Sequence, residues 1–323
     1  MKKEKIANAD LISILMPTYN VEKFVEEAVR SVLCQTYKNF ELIIVDDCST
    51  DKTFEILMRL AKEDNRIKLY RNEVNSKICK TLNKAFQHSG GAYIGRMDGD
   101  DVSTPERFEI LKQFLDENKN IDLVGSNMIT IDEDGNELAQ KRYIRTNPYI
   151  QWGNRYQPCI AHIWLARREV YDALNGYREV PYVEDWDFLL RGENQGFKYA
   201  NVDAFIYKCR IRNGNTGTTN GLRQRKSGRY VMKLHKEEKE SHRDEFNEND
   251  YFNAVKCIAS EQKKYQKAAK DLDTAIHSRK NKIRLVKYAI KACFESNYIA
   301  RYLYETTMLR IVYKVEHLRR KDY

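Results

Sequence analysis

From residue 11 to residue 126 the chain alternates short apolar runs with longer amphipathic stretches, and no other feature restricts its fold as tightly. Short runs of Ile, Val, Leu, Phe and Tyr separated by segments with helical periodicity predict βαβ units around a mostly parallel sheet flanked by helices, an α/β fold of Rossmann-like type. Leu11-Ile-Ser-Ile-Leu-Met16 predicts the first strand. Asn20 is placed to cap a helix on which Val21, Phe24, Val25, Ala28, Val29, Val32 and Leu33 share a face. The run from Phe40 to Val45 predicts a second strand closed by Asp46-Asp47, and Ser49-Thr50-Asp51 supplies a cap for the next helix. A third strand near Ile67 to Tyr70, a helix from Lys77 to His88 and a fourth strand from Tyr93 to Met97 follow. Thr104-Pro105 then restarts a helix, since proline is favoured at its first position.

In such sheets, ligands bind beyond the carboxyl ends of the strands. Three predicted ends offer polar groups there: Pro17-Thr-Tyr-Asn20, Asp46-Asp47 and Asp98-Gly-Asp-Asp101. Three carboxylates within four positions repel one another unless a cation or hydrogen-bond donors offset them. Mg²⁺ or Mn²⁺, bridging carboxylates to substrate phosphates, meets that need. A solvated acidic turn is the plainer alternative, and the position after an apolar strand speaks for the ion.

Five stretches occur in a fixed order: Ser13-Ile-Leu-Met-Pro-Thr-Tyr-Asn20, Ser31-Val-Leu-Cys-Gln-Thr-Tyr37, Glu41-Leu-Ile-Ile-Val-Asp-Asp-Cys-Ser-Thr-Asp51, Asp98-Gly-Asp-Asp101 and Glu184-Asp-Trp-Asp187. Together they resemble a family 2 glycosyltransferase with a GT-A fold, over about residues 11 to 212. The resemblance implies an inverting transferase that moves a sugar from a nucleotide-diphospho-sugar, UDP by expectation, to a glycan or lipid-linked saccharide in polysaccharide or glycoconjugate synthesis. It implies that Pro17 and Tyr19 line the base pocket, that Asp47 bonds the base or ribose, and that Asp98, Asp100 and Asp101 hold ribose and metal. Asp100 is the first choice for the metal, with Asp101 beside it. It also implies that Glu184 and Asp185 form the acceptor-side acid pair, with Asp185 the general base that takes the acceptor hydroxyl's proton. Alternative roles stay open: Tyr19 as strand-end packing, Asp46 and Asp47 as turn residues, and the acids of 184 to 187 as partners of a helix N-terminus.

Two departures from the family pattern stand out. The stretch Asn72 to Asn83 lacks the glycine that members often carry before this helix, and Lys77 or Lys80 is left either to meet the diphosphate or to serve as solvated helix surface. In Tyr207-Lys-Cys-Arg-Ile-Arg212, Arg212 takes the position of a family histidine, where it can serve only the phosphate. His162, in Pro158-Cys-Ile-Ala-His162, resembles a position near the acceptor side and stays outside the expected set. No Gly-x-Gly-x-x-Gly follows a strand, which disfavours a dehydrogenase. Nucleotidyl transfer usually needs a glycine-rich phosphate loop that is also missing near the first strand. A non-catalytic sugar-nucleotide-binding module is the third alternative.

Charge divides the chain. From Gly221 to Tyr323 there are 25 Lys+Arg against 14 Asp+Glu, whereas residues 1 to 220 carry 31 against 33. The expected organisation is a transferase domain over 1–220 and a basic helical region over 221–323. In its last part Ile283, Val286, Ile290 and Cys293, then Leu309, Val312, Val315 and Leu318, recur at helical spacing. Such helices either pack on the catalytic domain or lie on an anionic membrane surface. Nucleic acid is disfavoured, for want of a recognisable binding motif and because the catalytic part is slightly acidic. Seven scattered cysteines fit a reducing compartment. The apolar run after the basic N-terminus stops at Pro17, too short for a signal sequence. The expected location is therefore cytoplasmic, with the cytoplasmic face of the inner membrane as the alternative placement.

Overall fold

The computed structural model describes residues 8–212, 220–278 and 280–319, so the basic start of the chain lies outside it. Strands β1 (Asn8–Thr18), β2 (Phe40–Asp46), β3 (Ile67–Arg71) and β4 (Gly91–Arg96) are parallel and lie in the order β3-β2-β1-β4. Every residue of β2 is buried, because both faces of this half of the sheet are covered. Ile12, Ile14, Met16, Leu42 and Ile44 point to one side, where α1 (Val25–Leu33), α2 (Thr53–Glu63) and α4 (Arg107–Glu117) pack. Leu15, Ile43 and Val45 point to the other, against α3 (Lys77–Gln87), α6 (Arg168–Leu174) and α7 (Glu184–Asn194). The two-residue period of the strands thus splits one run of sequence between two cores.

The sheet continues through β8 (Leu165–Arg167), antiparallel to both β4 and β6 (Leu123–Ile131). Next to β6 runs β9 (Tyr199–Arg210), parallel to it, and the short β5 (Val102–Ser103) closes that edge. β7 (Glu137–Lys141) pairs with β6 off the main path, and α5 (Asn147–Asn154) lies in the connection that follows. The order β3-β2-β1-β4-β8-β6-β9-β5 brings the end of β9 beside the segment that follows β4.

One expected detail is overturned. Asn20 does not cap α1, which begins at Val25 with Phe24 at its cap position. Asn20 has φ +50 and its Oδ1 accepts from Thr50 N at 2.9 Å, while Val21 N donates to Thr53 Oγ1 at 2.8 Å and Glu22 N to Asp51 Oδ2 at 3.1 Å. The two loops after β1 and β2 therefore satisfy each other's backbone, and each helix starts only after that exchange.

The basic region forms α8 (Gly221–Ser241), α9 (Glu248–Val255), α10 (Ala259–His277), α11 (Lys282–Glu295) and α12 (Asn297–Arg319). Much of it is built into the molecule. Val180, Val183, Trp186 and Leu190 share a core with Val231, Met232, Tyr251 and Val255. A Cβ at Gly228 of α8 would lie 2.7 Å from the Trp186 ring, so only glycine lets these elements approach. On α12, Val312 joins the core of the sheet, and the buried Glu316 carboxylate accepts from Arg145 N at 2.9 Å and Thr146 N at 2.8 Å. By contrast Ile283, Val286, Ile290 and Phe294 of α11 remain exposed, Phe294 at 88%. No helix among the described residues is long and apolar enough to cross a membrane.

Candidate active site

Asp98 lies two residues past the end of β4, and what holds it is a buried arginine. Arg96, 3% exposed, sits in an otherwise apolar strand and donates through Nε to Asp98 Oδ1 at 3.0 Å. Its Nη1 donates to Glu184 Oε1 at 3.1 Å, so one guanidinium ties the aspartate cluster to the first turn of α7. A buried cation of this kind persists only with such partners. Burial alone would raise the Asp98 pKa, but the charges of Arg96 and His162 overcome it and hold the carboxyl far below the usual range.

Asp101 is buried and shaped by β9: Tyr207 Oη donates to its Oδ2 at 2.7 Å and Arg210 N to its Oδ1 at 2.7 Å. Burial, with the nearby charges of Asp100 and Asp98, pushes it up to about 7. Asp100 turns instead toward Arg212, whose Nε donates to its Oδ2 at 2.7 Å. Arg212, expected to serve the phosphate, thus meets an aspartate of the cluster.

His162 completes the group from the segment before β8. Its Nε2 lies 3.2 Å from Asp98 Oδ2, yet without the angle of a hydrogen bond, and it is buried with no other partner among the described residues. Ligand atoms of Asp98, Asp101 and His162 all fall within 4.8 Å of one another. An imidazole nitrogen left without a hydrogen bond between two carboxylates suits a divalent ion, since each carboxylate oxygen keeps a lone pair beyond the bonds it accepts. Asp100, the first choice on sequence, lies outside that triad, which takes in His162 instead. The signal for His162 was a lone metal-ligating residue type inside the apolar run Ile160 to Leu165.

Arg107 was missed altogether. Fully buried in the first turn of α4, it donates through Nη2 to Arg96 O at 2.7 Å and Ile163 O at 2.6 Å, which locks together the backbone segments that carry Asp98 and His162. Burial brings its pKa down to about 10. The sequence signal was an arginine beside Phe108 in an apolar helix face, a charge that must find partners inside.

On the other side of the crevice Tyr19 exposes 45% of its surface at the end of β1. Pro17 is buried beside it. Leu15 O accepts from Met97 N and Thr18 O from Asp47 N, so position 17 faces β4 beyond that strand's last pairing, where a missing N–H costs nothing. Asp47 reaches the crevice with both oxygens engaged: Oδ1 accepts from Asn72 Nδ2 at 2.8 Å and Ser76 N at 2.6 Å, Oδ2 from Lys77 N at 2.9 Å. Its visible work is to fold the loop before α3. Lys80 is exposed on α3 and its charge is felt at Glu179, with no bond to the aspartates among the described residues.

Glu184 is buried beneath Arg96, and burial raises its pKa. Asp185 is half-buried at the start of α7, with Oδ1 accepting from Trp186 N at 2.8 Å. Its charge is felt at His162. Asp187 turns away to Arg178 at 3.2 Å and Arg191 at 2.9 Å, a structural role. Tyr182, just before the acid pair, has φ +84, strained for a bulky side chain. Its carbonyl accepts from Gln224 Nε2 at 3.2 Å, and the Pro181 carbonyl from Tyr251 Oη at 2.6 Å. Helices α8 and α9 therefore hold the loop that presents Asp185.

Residues 13–174 match the sequence profile described as Glycosyl transferase family 2. Over 203 residues the chain is 36% identical to EpsE of Bacillus subtilis, assigned as a glycosyltransferase, covering 62% of this chain and 72% of that protein. It is 32% identical over 219 residues to the O-antigen biosynthesis glycosyltransferase WbnJ of Escherichia coli, covering 64% and 82%. Among solved structures, Staphylococcus aureus TarS 1–349 in complex with UDP aligns with a TM-score of 0.57 at 17% identity over 97% of this chain and 92% of that one. The mannosyltransferase PcManGT from Pyrobaculum calidifontis, in complex with GDP-Man and Mn²⁺, aligns with a TM-score of 0.54 at 14% identity over 97% and 88%. These two likenesses establish the GT-A architecture.

Proposed function

Because the chain belongs to glycosyl transferase family 2, we propose that it transfers a sugar from a UDP-sugar to a hydroxyl of a glycan or lipid-linked saccharide, with inversion. The observation that carries this reading is Arg96, which joins Asp98 on the donor side to Glu184 beside Asp185 on the acceptor side. That charge chain would set where the departing diphosphate and the arriving hydroxyl meet. The donor identity draws support from the UDP bound by TarS and from the open ring of Tyr19, which offers a face to a flat base. Pro17 and the loop folded by Asp47 would border that base.

Asp98, Asp101 and His162 would hold Mn²⁺ or Mg²⁺, with Asp100 beside them. Bound there, the ion would offset charge on the leaving diphosphate. Arg212, now on Asp100, and Lys80 across the crevice would meet phosphate oxygens. Asp185 would accept the proton of the acceptor hydroxyl as it attacks. Glu184, buried on Arg96, would keep the start of α7 in register and hold no substrate itself. Residues 1–220 make up the transfer domain, and 221–323 brace its acceptor side. The exposed apolar stripe of α11, flanked by Lys282, Arg284, Lys287 and Lys291, favours a place at an anionic membrane surface.

Mn²⁺-dependent binding of UDP, followed by calorimetry, tests the donor side. Asp101→Ala and His162→Ala are each expected to weaken it at least about tenfold, in line with the loss of one metal ligand. Undiminished metal-dependent binding in both variants would overturn the triad.

A further inference from the structure

Between α7 and the C-terminal helices lies a cavity of about 290 Å³ that reaches Asp185. Asp185 and Trp186 form one wall, Arg225 and Arg229 of α8 a second, and Tyr298 and Tyr302 of α12 a third. We propose that this cavity is the acceptor subsite and that it takes a saccharide carried on a phosphate, with Arg225 and Arg229 gripping the phosphate while the sugar hydroxyl reaches Asp185. The proposal rests on the reading of Asp185 as the base.

The two arginines stand one helical turn apart and project on the same face. Arg225 lies 3.8 Å over the Tyr302 ring and Arg229 3.9 Å over the Tyr298 ring. Stacking uses the flat face of a guanidinium and leaves its edge N–H groups for other acceptors. Arg229 Nη2 donates one of them to Asn297 O at 3.3 Å, and both side chains line the cavity. Among the described residues neither arginine meets a carboxylate. Their neighbours do: Lys226 pairs with Glu261 at 2.6 Å and Arg301 with Glu305 at 2.6 Å. The Arg225 Nε atom is buried with no hydrogen-bond partner among the described residues. A donor withdrawn from water without an acceptor costs free energy that an oxyanion in the cavity would return.

Chemistry selects the ligand further. A tetrahedral phosphate offers several oxygens to two planar forks, whereas a neutral sugar offers only hydroxyls. Tyr156, Tyr182 and Trp186 line the same space and give the aromatic surface on which sugar rings pack. The volume suits a sugar and its phosphate, leaving any longer chain attached to that phosphate outside.

Calorimetry on the full chain with saturating UDP and Mn²⁺ tests the assignment, with glucose 1-phosphate and methyl glucoside as probes. Glucose 1-phosphate is expected to bind at least tenfold more tightly. In Arg225→Gln/Arg229→Gln that preference should fall below threefold, with UDP affinity and melting temperature kept, and the double Lys variant should recover part of it. Equal binding of the two probes by the unaltered protein, no detectable binding of either, or an unchanged preference in the double Gln variant would overturn the subsite. Should the double Gln variant fail to fold, the preference is read from Arg229→Gln alone, with the same threshold. Failure of the unaltered protein to bind UDP would instead bring down the donor reading, and this proposal with it.

Discussion

At Lys77 the backbone adopts φ +68, the left-handed conformation that favours glycine. This is where the family's missing glycine makes itself felt: the chain keeps the turn and carries its strain. Asp47 compensates by accepting from Ser76 N and Lys77 N. Lys77→Gly should relieve the strain and stabilise the protein by about 0.5–1 kcal/mol in urea unfolding, the net of a left-handed penalty of about 1–2 kcal/mol and the greater freedom of unfolded glycine. A loss of stability would mean that the lysine side chain does more than tolerate the turn. The same scale explains which site residues could be read in sequence. Asp98, Asp100, Asp101 and Asp185 carry their chemistry in motif and position. His162, Arg96 and Arg107 gain their meaning only when segments 56 or more residues apart in sequence come together, as in the contacts of Arg107 with Ile163 and of Arg96 with Glu184.

Among the elements, α7 depends on α8 and α9 for its placement. The strained Tyr182 and the carbonyl of Pro181 are both held by side chains from those helices, and Tyr251 Oη is shared with Ser227 Oγ at 2.9 Å. Tyr251→Phe leaves two buried groups short of a partner and should cost about 1–3 kcal/mol. The expected kinetic result is a several-fold lower kcat for transfer with donor KM unchanged, because the loop that aims Asp185 loosens. A lower melting temperature with kcat intact would reduce Tyr251 to a packing residue. Strand and helix positions were largely legible from periodicity: the helix expected from Lys77 to His88 is α3 (Lys77–Gln87). Helix starts were less so. Asn20 has the composition of a cap, but its Oδ1 bonds to the opposite loop. Asp51 does both, Oδ1 accepting from Thr53 N at the start of α2 at 2.9 Å as a cap would and Oδ2 from Glu22 N across the loops, a pairing that depends on β1 lying beside β2.

For the molecule as a whole, charge asymmetry marked residues 221–323 as a separate unit, and packing shows how firmly it is joined. Trp186 against Gly228 and Glu316 on the backbone of Arg145 and Thr146 are long-range contacts that helical periodicity alone could not foretell. The apolar stripe of α11 stays outside, and it should bind vesicles containing anionic lipid at low salt, weakening as salt rises. Ile283→Ser/Phe294→Ser should abolish cosedimentation while leaving UDP binding intact. Cosedimentation unaltered by that change would assign membrane contact elsewhere or nowhere. The central claim, that one charge chain joins a donor site at Asp98 and Asp101 to a base at Asp185, is tested most directly by UDP release coupled to acceptor glycosylation in Asp185→Asn. The account predicts that UDP and Mn²⁺ bind as before while kcat for transfer falls by about 10²–10⁴-fold, the range of a lost general base. Transfer at the original rate would contradict it.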